Sequence, residues 1–254
     1  MATNLFRVDG QVALVTGASR GLGAAAAIAL ADAGADVVLH ASRSRAEATD
    51  AAIRSRAGVR THCLEADLSD RDATDALVAR AIAAMGRVDI LVNNAGTIRR
   101  AAAESFSDDD WDAVIEVNLT SLFRLSRAIG AHMLERGSGR IINVASLLSF
   151  QGGIRVPAYA AAKGGVSQLT KALANEWAGR GVNVNAIAPG YMRTDNTKAL
   201  IEDPVRSRQI LERIPAGRWG EPQDLGGAVV FLASPASAYV HGHVLVVDGG
   251  WMGR

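Results

Sequence analysis

VALVTGASRGLGAAAAIALADAGADVVLH, residues 12–40, reads as a strand, a glycine-punctuated turn, a helix and a second strand laid end to end. The runs VALVT (12–16) and DVVLH (36–40) are apolar almost throughout instead of alternating with polar residues, as strands must be when helices cover both faces of their sheet. Between them, the alanine-rich stretch 21–33 has helical length. Two strands joined through a helix run parallel. Working outward, further strand-like runs occur at ILVNN (90–94), RIINVAS (140–146), VNVNAIAP (182–189) and HVLVVD (243–248), with a weaker one at RTHCLE (60–65). Helical segments fall at 46–56, 70–85, 108–135, 158–180 and 221–233. Ser107 before Asp108, Asp109 and Asp110, and Ser69 before Asp70 and Asp72, are read as hydroxyl caps with acidic first turns.

The alternation predicts an α/β fold, a doubly wound parallel sheet with helices on both faces, continuing without a linker or repeat as one domain over 1–254. Only 190–220, with Pro204 and Pro215 and many charges, lacks a strand, and it is the expected lid. With 254 residues, 49% of them hydrophobic, the chain can bury a substantial core. A net charge of +1, from 27 Lys and Arg against 26 Asp and Glu, offers no basic block for nucleic acid. The start MATNLFRVDGQV has no signal-like stretch, and the longest apolar run, Ala24–Ala31, falls far short of the roughly 20 residues that span a bilayer. A soluble, cytoplasmic protein with no membrane partner is expected. The lone Cys63 excludes a disulfide framework within the chain and reads as a small apolar side chain in a strand.

Chemistry concentrates in two places. The turn Gly17-Ala18-Ser19-Arg20-Gly21-Leu22-Gly23 opens a helix, so free backbone N–H groups and a positive dipole end meet beside flexible backbone, where a pyrophosphate can bind. Glycines there also serve helix–strand packing. Tyr159 and Lys163 stand four residues apart at the start of a helix, which stacks phenol and ammonium on one face. A phenol with a pKa of about 10 is a poor base at neutral pH, but a neighbouring ammonium favours the phenolate, and a three-unit shift is worth about 4 kcal/mol. Ser146 closes the run RIINVAS, at the strand end where open α/β sheets hold ligands. Each side chain alone has an ordinary structural explanation; their joint placement carries the weight. His241 and His243 lack the further ligands a metal site needs, and no metal is expected; strand packing or a subunit contact explains them. Trp177, Trp219 and Trp251 read as core or interface residues.

Through TGASRGLG (16–23), Asp67, NNAG (93–96), Asn118 in VNL, Ser146, YAAAK (159–163) and the PG of APGYM (188–192), the chain resembles the short-chain dehydrogenase/reductase family over essentially its whole length. The resemblance implies a Rossmann-type sheet of about seven strands, a nicotinamide cofactor, and a catalytic tetrad on Asn118, Ser146, Tyr159 and Lys163. Tyr159 would exchange a proton with the substrate oxygen, Ser146 would orient that oxygen, Lys163 would lower the Tyr159 pKa and bind the ribose, and Asn118 would hold a relay water. It further implies that Asp67 with Leu68 faces the adenine, that Asn94, Ala95 and Gly96 pack along the adenosine, and that Pro189 and Gly190 border the nicotinamide. NAD-selective binders generally carry an acid at the end of the second strand. Here Ala41 stands in that place, followed by Ser42 and Arg43, and Arg20 and Arg43 could each meet a 2′-phosphate, so NADP(H) is favoured over NAD(H).

The runs NNAGTIRR (93–100), SLLSFQGGIRVPAYAAAK (146–163), NAIAPGYMRTDNT (185–197) and RIPAGRWGEP (213–222) are similar to a narrower group of sugar-acid dehydrogenases. That group includes the 2-dehydro-3-deoxy-D-gluconate 5-dehydrogenases, the gluconate 5-dehydrogenases and the reductases of alginate-derived keto-uronates. The implied substrate is a sugar acid of the 2-keto-3-deoxygluconate or 4-deoxy-5-keto-hexuronate type. The alternatives are gluconate, an unrelated ketone, or a dinucleotide-binding sensor without catalysis, against which the complete tetrad argues. Arg99, Arg100, Arg155 and Arg193 lie in loops after strands, where a guanidinium could take a carboxylate bidentately. Gln151 and Gly152 lie in a flexible stretch that could approach a polyol, and Tyr191 completes the candidate substrate set. The resemblance also implies a homotetramer packed through 108–135 and 158–180.

Overall fold

A computed structural model of the chain describes residues 4–42 and 46–254. Its strands are β1 (Val12–Val15), β2 (Asp36–Ala41), β3 (Thr61–Glu65), β4 (Ile90–Asn93), β5 (Gly139–Val144), β6 (Val182–Pro189) and β7 (Val244–Val247). They form one parallel sheet in the order β3-β2-β1-β4-β5-β6-β7. The order reverses between β1 and β4, and the crevice at their C-terminal ends is where such sheets bind ligands.

The continuous apolar runs are accounted for by burial on both faces. Ala13, Val15, Val37, Leu39, Ile90, Val92 and Ile142 point to one side and pack with Ala27 and Leu30 of α1 (Gly21–Asp32) and with Val229 and Leu232 of α9 (Gly226–Ala233). Leu14, Val38, Leu91 and Ile141 point to the other and meet Leu77 and Ala81 of α3 (Arg71–Met85) and Leu125, Ile129 and Met133 of α5 (Ser121–Arg136). Each wholly buried leucine or isoleucine contributes about 2 kcal/mol. Trp177, Trp219 and Trp251 are buried, and Cys63 is half-buried in β3 against the first of these clusters.

A polar ladder crosses the second layer and sets the helix that carries Tyr159 and Lys163. Asn93 Nδ2 donates to Asn143 Oδ1 and to Ser126 Oγ, both at 2.9 Å. Asn143 Nδ2 donates to Thr170 Oγ1 at 2.9 Å, on α6 (Pro157–Trp177). Buried amides pair because an unpaired one forfeits its hydration; the pairing ties α5 and α6 to the sheet beneath the crevice.

Three local expectations change. The predicted helix 108–135 is α4 (Asp108–Ile115) and α5 joined through a π-helical turn at Glu116–Thr120. Ser107 caps α4 through Asp110 N–H at 3.2 Å, as read, but α3 is capped by Asp70, which accepts from Ala73 N–H at 3.0 Å, while Ser69 turns back to Asp67 at 2.7 Å. A carboxylate one residue later starts the helix there and makes the stronger, charge-assisted cap. The strandless 190–220 contains two short helices, α7 (Lys198–Glu202) and α8 (Pro204–Leu211), the second started by Pro204 and capped by Asp203. Between β2 and α3 lies α2 (Glu47–Arg54). Among the described residues no helix is long and apolar enough to cross a membrane.

Candidate active site

The glycine turn is built by close approach. A Cβ on Gly23 would lie 2.2 Å from the Gly17 carbonyl oxygen, and Gly17 and Gly21 hold φ values of +65° and +57°. Only glycine satisfies both demands. Asn94 locks the turn from β4: its Nδ2 donates to the carbonyls of Thr16 at 2.9 Å and Gly17 at 3.2 Å, while Thr16 Oγ1 accepts from the Asn94 and Ala95 N–H groups at 3.0 Å. Helix α1 starts directly from Arg20, which provides no side-chain cap, so its first N–H groups face the crevice.

That crevice is a cleft of about 800 Å³. Of the residues expected on the dinucleotide, Gly17, Ser19, Arg20, Gly21, Leu22, Ala41, Ser42, Asp67, Leu68, Asn94, Ala95 and Gly96 line it, together with Tyr159 and Lys163. Gly23 lies under the turn. Arg43 falls outside the described residues. Pro189 ends β6 and Gly190 packs against β7, where a Cβ would come within 2.6 Å of Asp248 Cα; neither is part of the cleft wall. A cleft of this volume, a cradle that side chains would fill and an uncapped helix N-terminus suit a dinucleotide.

Tyr159 and Lys163 share a face of α6, and the Lys163 Nζ lies over the Tyr159 ring, 5.6 Å from its centroid. Lys163 is buried and donates to the Val144 carbonyl at 2.5 Å. Ser146 stands beside the Tyr159 hydroxyl and favours its ionised form, and its Oγ accepts from Leu148 N–H at 3.2 Å at the head of the turn Leu147–Ser149. Burial raises the Tyr159 pKa above its ordinary value, opposed by Ser146 and by the charge of Arg100. Lys163 is not among the groups that set this direction. Its amine is spent on Val144, and burial has brought its own pKa down to about 8.

Asn118 occupies the π-helical turn, wholly buried. Both ends of its amide grip Thr97, accepting from the N–H at 2.7 Å and donating to the carbonyl at 2.8 Å. The side chain thus sets the loop after β4 along the cleft. π-Turns recur at functional sites because they re-aim a side chain within a continuous helix.

The four arginines separate clearly. Arg99 pairs with Asp110 at 3.2 Å and Arg193 with Glu221 at 3.1 Å, so both cleft-lining guanidiniums already have carboxylates. Among the described residues Arg100 donates to the Asn196 carbonyl alone, at 2.9 Å, and its charge reaches Tyr159. Arg155 is exposed, has no ion pair among the described residues, and sits at φ +63°, unusual for a residue with a Cβ. Its carbonyl accepts from Ala101 N–H at 3.2 Å, which pins its loop beside Arg100. Gln151, Gly152, Arg155 and Tyr191 do not line the cleft; Tyr191 is packed against Trp219 and Trp251, with centroids 5.7 and 4.6 Å away.

Reading the sequence missed His40, Thr97, Thr194, Asp195 and Asn196, all in the cleft wall. Asp195 meets Arg20 at 3.0 Å across the cleft mouth, and that pairing joins segments 175 residues apart, beyond any local signal. His243 contributes backbone to β6, accepting from Ala186 N–H at 2.8 Å, and no group of metal-binding side chains occurs among the described residues.

Comparison with known proteins agrees with this layout. The model of the short chain dehydrogenase family matches residues 11–205. The chain is 56% identical over 250 residues to a 2-dehydro-3-deoxy-D-gluconate 5-dehydrogenase of Pseudoalteromonas atlantica, covering 98% of both. It is 52% identical to the protein of the same name from Escherichia coli K12, covering 100% of both. A crystal structure of a gluconate 5-dehydrogenase from Burkholderia cenocepacia, in complex with NADP and tartrate, superposes with a TM-score of 0.92 at 40% identity and covers 100% of both chains.

The buried amine makes a testable demand on stability. With Lys163 near 8 in the fold and 10.5 when unfolded, the unfolded chain binds more protons between those values. The penalty is therefore complete below pH 8, about 3 kcal/mol, and gone above about pH 10.5. Subtracting about 1 kcal/mol for the lost hydrogen bond, Lys163→Met stabilises the free protein by about 2 kcal/mol at pH 7, and the advantage vanishes near pH 10. Urea unfolding across that pH range measures it; an advantage independent of pH would contradict the assignment.

Proposed function

The chain belongs to the short-chain dehydrogenase family, and from that premise we propose that it interconverts a carbonyl and a secondary alcohol on a sugar acid of the 2-keto-3-deoxygluconate or 4-deoxy-5-keto-hexuronate type. The observation that carries the reading is a phenol, Tyr159, with Ser146 beside it and a buried amine behind it, in the same cleft as the open helix N-terminus. When bound, the nicotinamide supplies or accepts the hydride. Everything else falls to the chain. Ser146 holds the substrate oxygen, and Tyr159 passes its proton to that oxygen during reduction or takes it back during oxidation. Its raised pKa keeps the phenol protonated at neutral pH, which suits reduction; oxidation needs the phenolate and gains as pH rises. Lys163 would bind the ribose, and Asn118, by fixing Thr97, would keep the relay side of the cleft in shape.

Carboxylate recognition would rest first on Arg100. It is the arginine whose charge reaches Tyr159 and, among the described residues, it has no carboxylate partner of its own. Arg155 is the second candidate, because a side-chain-bearing residue held at positive φ marks backbone strain of the kind retained at functional sites. Arg99 and Arg193 would need to exchange their present partners. In the cofactor, NADP(H) is favoured over NAD(H) because Ala41 and Ser42 present no acid to a 2′-phosphate and Arg20 stands in the turn. Residues 1–254 would act as one domain with 190–220 as a lid, and copies would associate as a homotetramer through α4, α5 and α6, where Trp111 and Phe123 lie exposed. A cytoplasmic enzyme of sugar-acid and uronate metabolism is the role that fits.

Tyr159→Phe should lower kcat by about 10²–10⁴ while dinucleotide affinity holds. Stopped-flow turnover with keto-deoxy sugar acids, alongside NADPH binding, separates the two; wild-type turnover in a folded variant would sink the mechanism. Arg100→Met should raise KM for the sugar acid about 10- to 100-fold and leave the KM for NADPH unchanged. Ala41→Asp should move kcat/KM from NADPH towards NADH, and an unchanged ratio would show that residue 41 does not face the 2′ position.

A further inference from the structure

His40 is the penultimate residue of β2, one before Ala41; it is buried and contributes to the cleft wall, yet no catalytic step uses it. It contacts the two other segments that meet on the adenosine side of the cleft. Its Nδ1 accepts the Gly17 N–H at 3.3 Å, its Nε2 contacts the Ala66 carbonyl at 3.0 Å, and its own carbonyl accepts from Ala18 N–H at 2.8 Å. Because a backbone N–H can only donate and a carbonyl can only accept, these partners fix one tautomer, with the proton on Nε2 and the lone pair on Nδ1.

We infer that His40 is a positioning residue for dinucleotide binding: as a neutral imidazole it fastens the first glycine of the turn to the loop carrying Asp67. The inference rests on the cleft being a dinucleotide site. Without the ring, Gly17 loses the acceptor for its N–H, and the left-handed residue at the head of the turn is held by side chains only through Asn94, while the backbone bond from Ala18 to residue 40 remains one position further on. A ligand must then order the turn as it binds, which weakens affinity without touching Tyr159, Ser146 or Lys163. A protonated ring has no lone pair for Gly17, so acid should loosen the same fastening. The charged groups acting on the ring are Arg80 of α3, which disfavours protonation, and Asp67 on the loop after β3, which favours it; burial exceeds both and keeps the ring neutral below the ordinary histidine range.

The test measures binding of NADPH at pH 7.5, and of NADH, which lacks a titrating 2′-phosphate, from pH 7.5 down to 5. Both are followed by nucleotide fluorescence on wild type, His40→Leu, His40→Asn and His40→Gln. His40→Leu should weaken NADPH about tenfold with kcat at saturation within about twofold of wild type. Asn carries an oxygen where Nδ1 stands and should restore affinity to within about threefold, whereas Gln, whose polar atoms lie further out, should not. Affinity of the wild type for NADH should fall at the acid end, and that fall should be absent in His40→Asn. Wild-type affinity in His40→Leu, or an unchanged acid limb in His40→Asn, would overturn the inference. If His40→Leu does not fold, the Asn against Gln contrast and the acid limb decide. Failure of the wild type to bind either nucleotide would instead overturn the dinucleotide reading, and this inference with it.

Discussion

An amine almost wholly buried at the floor of the cleft imposes most of the order around it. Lys163 retains a carbonyl, that of Val144, as its hydrogen-bond partner, and that carbonyl is the last of β5. To hold the contact, α6 must be seated at one height over the sheet, which the Asn93–Asn143–Thr170 ladder enforces from below. With α6 seated, Tyr159 comes over the end of β5 beside Ser146. The fold bears a stability penalty to keep a charge there, a pattern expected when a site needs something the core would reject.

The two halves of the cleft are solved by different physics. At the α1 end recognition belongs to backbone, made possible by the absence of Cβ atoms and by hydrogen bonds from Asn94 and His40. At the α6 end it belongs to side chains whose protonation is set by burial. The parallel sheet brings both to one edge because every strand delivers its C-terminal residue to the same side.

Much of this was legible in the chain itself. β6 is legible to its residue limits because a left-handed Gly181 precedes it and Pro189 and Gly190 close it, and the glycine turn because positive φ and close packing admit one residue type. The break in 108–135 was invisible, since a π-turn keeps helical composition. Which arginine is free could not be read either: Arg99 and Arg100 are neighbours, and only the fold shows Asp110 beside the first and a mere carbonyl beside the second. His40 was passed over for the same reason, its partners lying 23 and 26 residues away.

The Gly17–Gly23 turn carries one more implication. Its helix-opening groups are amides that every residue possesses, so as a dinucleotide cradle it would hold what all dinucleotides have in common. Discrimination among them would then fall to side chains: Arg20 within the turn, Ala41 and Ser42 on one flank, and Thr194, Asp195 and Asn196 on the other. Descendants of such a fold could exchange one coenzyme for another by altering those side chains, with the glycines of the cradle untouched.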